Sequence, residues 1–69
     1  MSQPVYKTIN LVGTSKTGVE DAVERALGRA SKTVRNMRWF EITEVRGTVE
    51  GSDVGQWQVS LKVGFTLED

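Results

Sequence analysis

The chain contains no cysteine and no histidine. Disulfide staples, thiolate chemistry and the usual zinc ligands are excluded together, and that usage is consistent with a reducing compartment. Charge of one sign is missing too: nine Lys and Arg balance nine Asp and Glu, for a formal net charge of zero. There is no basic block to follow a phosphate backbone, so nucleic acid is not an expected partner. No run is apolar enough to span a bilayer, and the N-terminus lacks the charged start and apolar core of a secretory signal. The expectation is a cytoplasmic protein without a membrane partner. Proline occurs once, and neither a linker nor an internal repeat interrupts the 69 residues. The chain therefore reads as a single domain over residues 1–69, at a size where one core is only marginally stable and support comes from association or a ligand.

Catalytic groups are equally scarce. The serines and threonines have no evident base partner, and the carboxylate pairs Glu41 with Glu44 and Glu20 with Asp21 read as solvated faces. Neither an enzyme nor a metal site is expected.

What is present is a pattern of elements in the order β-α-β-β. Pro4 is tolerated at a strand's beginning, and Val5 to Val12 reads as a strand with Ile9 and Leu11 on one face and Tyr6, Thr8 and Asn10 on the other. Gly13 is expected to stop it. Thr17 with Glu20 matches a capping box, with Ser15 as the competing cap. A helix then follows from about Thr17 to Val34, carrying Val19, Ala22, Val23, Ala26, Leu27, Ala30 and Val34 on one stripe. The alanines allow close approach to a sheet, while Gly28 needs a packing reason or marks an exposed weak point.

The second strand is expected from Arg38 to Glu50, with a bulge near Thr43-Glu44 because Val45 and Val49 differ in parity from Phe40 and Ile42. Gly51-Ser52-Asp53 supplies turn chemistry for a hairpin. The third strand places Trp57, Val59, Leu61, Val63, Phe65 and Leu67 on the core side, and the tail Glu68-Asp69 is expected to be loose. Strands of about 13 residues outreach a helix of about 17, since their rises are roughly 3.3 Å and 1.5 Å per residue. Part of the hairpin then lacks an internal partner, which points to a homo-oligomer.

The chain centres on the stretch from Arg38 to Arg46. Phe40 and Ile42 share a parity and make a core pair, which leaves Trp39 on the other face as a presented surface. Gln58 lies on the polar side of its own strand. A turn centred near Ser52-Asp53 puts Trp39 opposite Thr66 and Gln58 opposite Gly47, with one residue of slippage allowed for the bulge. The separation is about eight residues, or roughly 26 Å. If both residues serve one site, that site is built between subunits.

These residues resemble the dodecin family, small flavin-binding proteins that assemble as hollow dodecamers. The resemblance runs through Val5-Tyr6-Lys7, Leu11-Val12-Gly13-Thr14-Ser15, Arg38-Trp39-Phe40-Glu41, Arg46-Gly47, and Gln58 through Gly64-Phe65 to Leu67. It implies an α+β fold in which a three-stranded antiparallel sheet partly wraps one helix, assembled into a hollow homododecamer. It also implies flavin binding for storage or sequestration without turnover, with FMN first and riboflavin or FAD as alternatives. Indole stacked on flavin is expected to quench its excited state, which adds a photoprotective role. Trp39 matches the tryptophan that stacks on the isoalloxazine ring, and Gln58 the glutamine that hydrogen-bonds its polar edge. Arg46 lies in the family's Arg-Gly pair, with a role in subunit contact or phosphate binding. Thr66 stands where some bacterial relatives carry arginine, which leaves open a phosphate contact there and the preference among flavins. A reading of a different class is a protein-interaction or coenzyme A-binding module, using the exposed sheet face with Trp39 as anchor.

Overall fold

The computed structural model describes residues 3–68. The expected polar start at Met1 and Ser2, and the end of the acidic tail at Asp69, lie outside them. Four elements follow in chain order: β1 (Tyr6–Ser15), α1 (Val19–Ala30), β2 (Met37–Glu50) and β3 (Asp53–Thr66). The sheet order is β1-β3-β2, with both pairings antiparallel. The last strand in sequence is thus the middle strand in space. One face of the sheet carries the helix, and the molecule is elongated, 55 × 21 × 14 Å.

The core lies where helix and central strand meet. Val59, Leu61 and Val63 of β3 are fully buried against Ala22 and Val23 of α1, with Ile9, Leu11, Leu27 and Met37 packed around them. Those three β3 residues alternate with Ser60 and Lys62, as a strand with one covered face requires. Helix α1 packs on β1 and β3 and leaves most of β2 uncovered. The expected core pair on β2 is therefore corrected: Phe40 and Ile42 do face the helix side, opposite Val63 and Leu61, yet they are 47% and 41% exposed.

Several boundaries also differ from expectation. Strand β1 begins at Tyr6 and runs through Gly13 to Ser15, pairing Gly13 with Val59 and Ser15 with Trp57. Gly13 does not stop the strand; it admits the helix. A Cβ there would overlap the Ala22 carbonyl oxygen and lie 2.9 Å from its carbon and 3.1 Å from the Ala26 Cβ. The capping box does not form, since Gly18 is the N-cap and makes no side-chain cap bond. Ser15 organises the turn instead: its buried hydroxyl accepts from the Thr17 and Gly18 amides at 2.9 and 3.3 Å and donates to Asp21 Oδ2 at 2.6 Å.

The helix ends at Ala30, not Val34. The Ser31 hydroxyl donates to the Gly28 carbonyl at 2.7 Å, and the β-branched Thr33 and Val34 follow in a turn. Asn36 then takes a left-handed conformation (φ 64°) that redirects the chain into β2. Its carbonyl accepts from the Thr66 amide at 3.1 Å. Gly28 is exposed, with no atom near its absent Cβ. At the far end, Gly51 opens a two-residue hairpin loop with φ 64°, and β3 starts directly at Asp53. Leu67 lies beyond β3 and is half exposed rather than in the core row.

Candidate functional site

The face of the sheet opposite the helix carries the expected site residues, and three irregularities in the hairpin decide where they fall. One shift lies between Ile42 and Glu44, as the parity of Val45 demands. The Thr43 hydroxyl at that bulge donates to the Ser60 carbonyl at 3.2 Å. A second lies between Thr48 and Val49, where Gly55 is the unpaired residue of β3. The third was not legible from the pattern: Met37 pairs with Phe65 and Trp39 with Gly64, leaving Arg38 as an extra residue. Counted from the hairpin turn, Phe40 meets Val63 and Trp39 meets Gly64 before that extra residue is reached. Alternation with Phe40 turns Trp39 outward, and the bulge at Arg38 lets Met37 join Phe40 on the helix side.

Trp39 lies over Gly64. The indole occupies the space a side chain at that position would need, and its edge is flanked by Tyr6, whose ring centroid is 6.0 Å away at a tilt of 56°. The ring is 39% exposed, with Gly64 buried beneath it. A flat apolar surface with its back on a glycine and its other side accessible can stack a planar ring.

Gln58 sits on the same face, opposite Arg46 on one side and Thr14 on the other. The register thus corrects the pairing of Trp39, with Gly64 in place of Thr66, while Gln58 meets Arg46, within the one residue of slippage allowed from Gly47. Trp39 and Gln58 are separated by six residues along β3, roughly 20 Å. One chain does not bring them together.

It does bring Arg46 to Gln58. The Arg46 guanidinium pairs with the Glu44 carboxylate and donates to the Ser60 hydroxyl at 3.2 Å, which holds it along the sheet beside the glutamine. Between the two ends, Lys62 faces Glu41 across the strands with 3.9 Å between charged atoms. The outer face is therefore charge-balanced, with an aromatic platform at one end and an amide and guanidinium at the other. Thr66 pairs with Tyr6 beside the platform and brings no charge to it.

Gly64, Tyr6 and the Arg38 bulge are the parts of this arrangement missed by residue-by-residue reading. The signal for Gly64 was a glycine inside an otherwise regular strand, which marks close approach by another group. Among the described residues, no three of His, Cys, Asp and Glu converge closely enough to hold a metal ion, and no helix is long and apolar enough to cross a membrane.

Comparison with known proteins agrees with this architecture. The dodecin family model matches residues 5–68. Dodecin of Thermus thermophilus is 52% identical over 65 residues, covering 94% of each chain. The structure of dodecin from Streptomyces coelicolor superposes with a TM-score of 0.93 at 51% identity, over 100% of this chain and 99% of that one. A more distant relative, the calcium dodecin of Mycobacterium tuberculosis, is 32% identical over 91% of this chain and 89% of its own. With the β-α-β-β order, the half-wrapped helix and these matches in agreement, the chain belongs to the dodecin family.

Proposed function

We propose that this protein binds flavin, with the isoalloxazine ring stacked on Trp39 and its polar edge hydrogen-bonded by Gln58 of another subunit, and that it stores or sequesters the ligand without turnover. The observation that carries the reading is the Trp39 indole resting on Gly64 with its outward side accessible on the polar face of the sheet. Flat, conjugated and poorly soluble rings gain from apolar burial, and offset stacking adds about 0.5–1.5 kcal/mol per aromatic pair. Among the described residues, the platform's neighbours are Tyr6, Gly64 and Thr66, which do not form a paired base and nucleophile, and an indole against the ring would drain its excited state, which suits holding and photoprotection over reaction. FMN is the first choice of ligand. Arg46 already pairs with Glu44, so its charge frames Gln58 and reaches a phosphate only by exchanging that partner.

Assembly belongs to the same reading. Phe40, Ile42 and Val45 leave the helix-facing side of β2 about half exposed, and the hairpin tip continues it with Val49 at 81% exposure and Val54 at 52%. An apolar strip of this kind on a 7.7 kDa chain is suited to covering by further copies of itself. A homododecamer, about 90 kDa from the 7.7 kDa chain, is the proposed state.

One preparation tests both. The purified protein is expected to scatter light as about twelve chains and to quench FMN fluorescence on titration, with visible absorbance in the flavin bands. A colourless protein that ignores FMN would instead support the protein-interaction or coenzyme A-binding alternative, and a stable folded monomer would overturn the assembly.

A further inference from the structure

Gly64 has no conformational reason to be glycine. It lies well inside β3, paired with Thr8 on one side and Trp39 on the other, and its φ is outside the left-handed range. Glycine in such a place weakens a strand, because it loses more freedom on folding and contributes no packing. The space explains it. A Cβ built on Gly64 would fall inside the contact envelope of Trp39 Cε2 and Cζ2 and 2.8 Å from Cδ2. Gly13, the other glycine with so severe an overlap, meets backbone of the helix, whereas Gly64 meets the side chain of the presented tryptophan.

We propose that Gly64 is the positioning residue of the stacking platform: the missing side chain sets the height of the Trp39 indole above the sheet, and hence the depth available to a planar ligand on its open side. Tyr6 completes the seat. Its tilted ring, 6.0 Å from the indole centroid, limits movement toward β1 while leaving the outward side free. Even one methyl group on residue 64 would lift or tilt the indole out of this seat. The inference rests on the reading of Trp39 as a flavin platform and adds which residue makes that platform flat.

The test is a cycle of Gly64→Ala and Trp39→Ala, read by FMN titration and by thermal melting of the assembled protein. Gly64→Ala alone is expected to weaken FMN binding at least tenfold and to reduce the quenching of whatever FMN still binds, since quenching follows ring-to-indole contact. In the Trp39→Ala background the same change is expected to leave FMN affinity where it was and to raise the melting midpoint, because the strand then gains a better residue with nothing in its way. That reversal of sign is the signature of a positioning role. Should Gly64→Ala fail to assemble, Gly64→Ala combined with Trp39→Phe, a smaller ring, is expected to assemble and recover quenching.

Three outcomes overturn the inference: parental affinity and quenching in Gly64→Ala, an equal loss of affinity from Gly64→Ala with and without Trp39, or no recovery with the smaller ring. A parental protein that does not bind FMN would remove the platform reading itself. Parental binding that Gly64→Ala leaves untouched would remove only the role of Gly64.

Discussion

Mixing chains that carry Trp39→Ala with chains that carry Gln58→Ala is expected to restore binding that neither variant has alone. The two side chains share one face of β3 and its partner, separated by six residues, roughly 20 Å. A three-ring flavin head is far shorter than that, and β3 runs without a break from Asp53 to Thr66, so no fold-back brings them closer. On the proposed reading, each site then takes its indole from one chain and its amide from another. In an equimolar random mixture half of the platforms keep Trp39 and half of the facing positions keep Gln58, which leaves about one quarter of sites intact in a closed symmetric assembly. Each single variant should bind weakly. Loss of the stacking surface removes at least a tenfold factor, and loss of the amide's hydrogen bonds, at about 0.5–1.5 kcal/mol each, removes up to about tenfold per bond. The assay is co-refolding, confirmation of mixed assemblies by native mass spectrometry, and FMN titration for the stoichiometry of the tight class. Assemblies proven to be mixed that show no tight class would refute the division of the site between chains.

Trp39→Ala is expected to lower FMN affinity at least tenfold while leaving the far-ultraviolet circular dichroism unchanged, because the indole lies outside the Val59, Leu61 and Val63 core; a collapse of secondary structure would contradict that placement. Phe40→Ala is expected to act on association more than on the chain's own core, since the ring is 47% exposed. The measurement is the protein concentration at which scattering mass falls, and an unchanged value would mean that this side of β2 is not an interface. Gly13→Ala is expected to destabilise the folded chain by about 1–3 kcal/mol or more, as an overpacked contact between β1 and the backbone of α1. A denaturant midpoint equal to the parent's would show that helix and strand part without penalty.

Element order and the core row of β3 were legible because each rests on a local period. Alternation from Trp57 to Phe65 and the stripe from Val19 to Ala30 are properties of neighbours in sequence, and the structure keeps both. Trp39 was legible as outward-facing from its parity against Phe40. Register was not, because it depends on the number of unpaired residues between the turn and the point of interest. Thr43 announced itself through the parity of Val45, whereas Gly55 left no such mark; those two bulges offset each other, and it is the turn at Gly51-Ser52 in place of Ser52-Asp53 that moves the pairing of Trp39 from Thr66 to Gly64. The role of Phe40 was misjudged for a related reason. Parity says which side a residue faces, but the width of sheet that one helix covers decides whether that side is buried, and α1 covers β1 and β3. Gly13 reads as a strand stop by composition and is instead the place where the helix backbone comes closest.

Topology links these features. Inserting β3 between β1 and β2 gives the central strand two partners, so its residues are the best held in the sheet. The helix, whose chain must cross from β1 to β2, settles over the β1 and β3 side and leaves the long edge strand half bare. A binding platform on a bare edge strand alone would shift with that strand. Trp39 avoids this: it is rooted on β2 but seated on Gly64 of the central strand, so a residue from the least covered element is held by the most constrained one. The inner side of β2 remains free for other copies of the chain while its outer side presents the indole. Association and ligand binding can then use opposite faces of the same strand, and substitutions at Phe40 and Trp39, adjacent in sequence, are expected to separate the two.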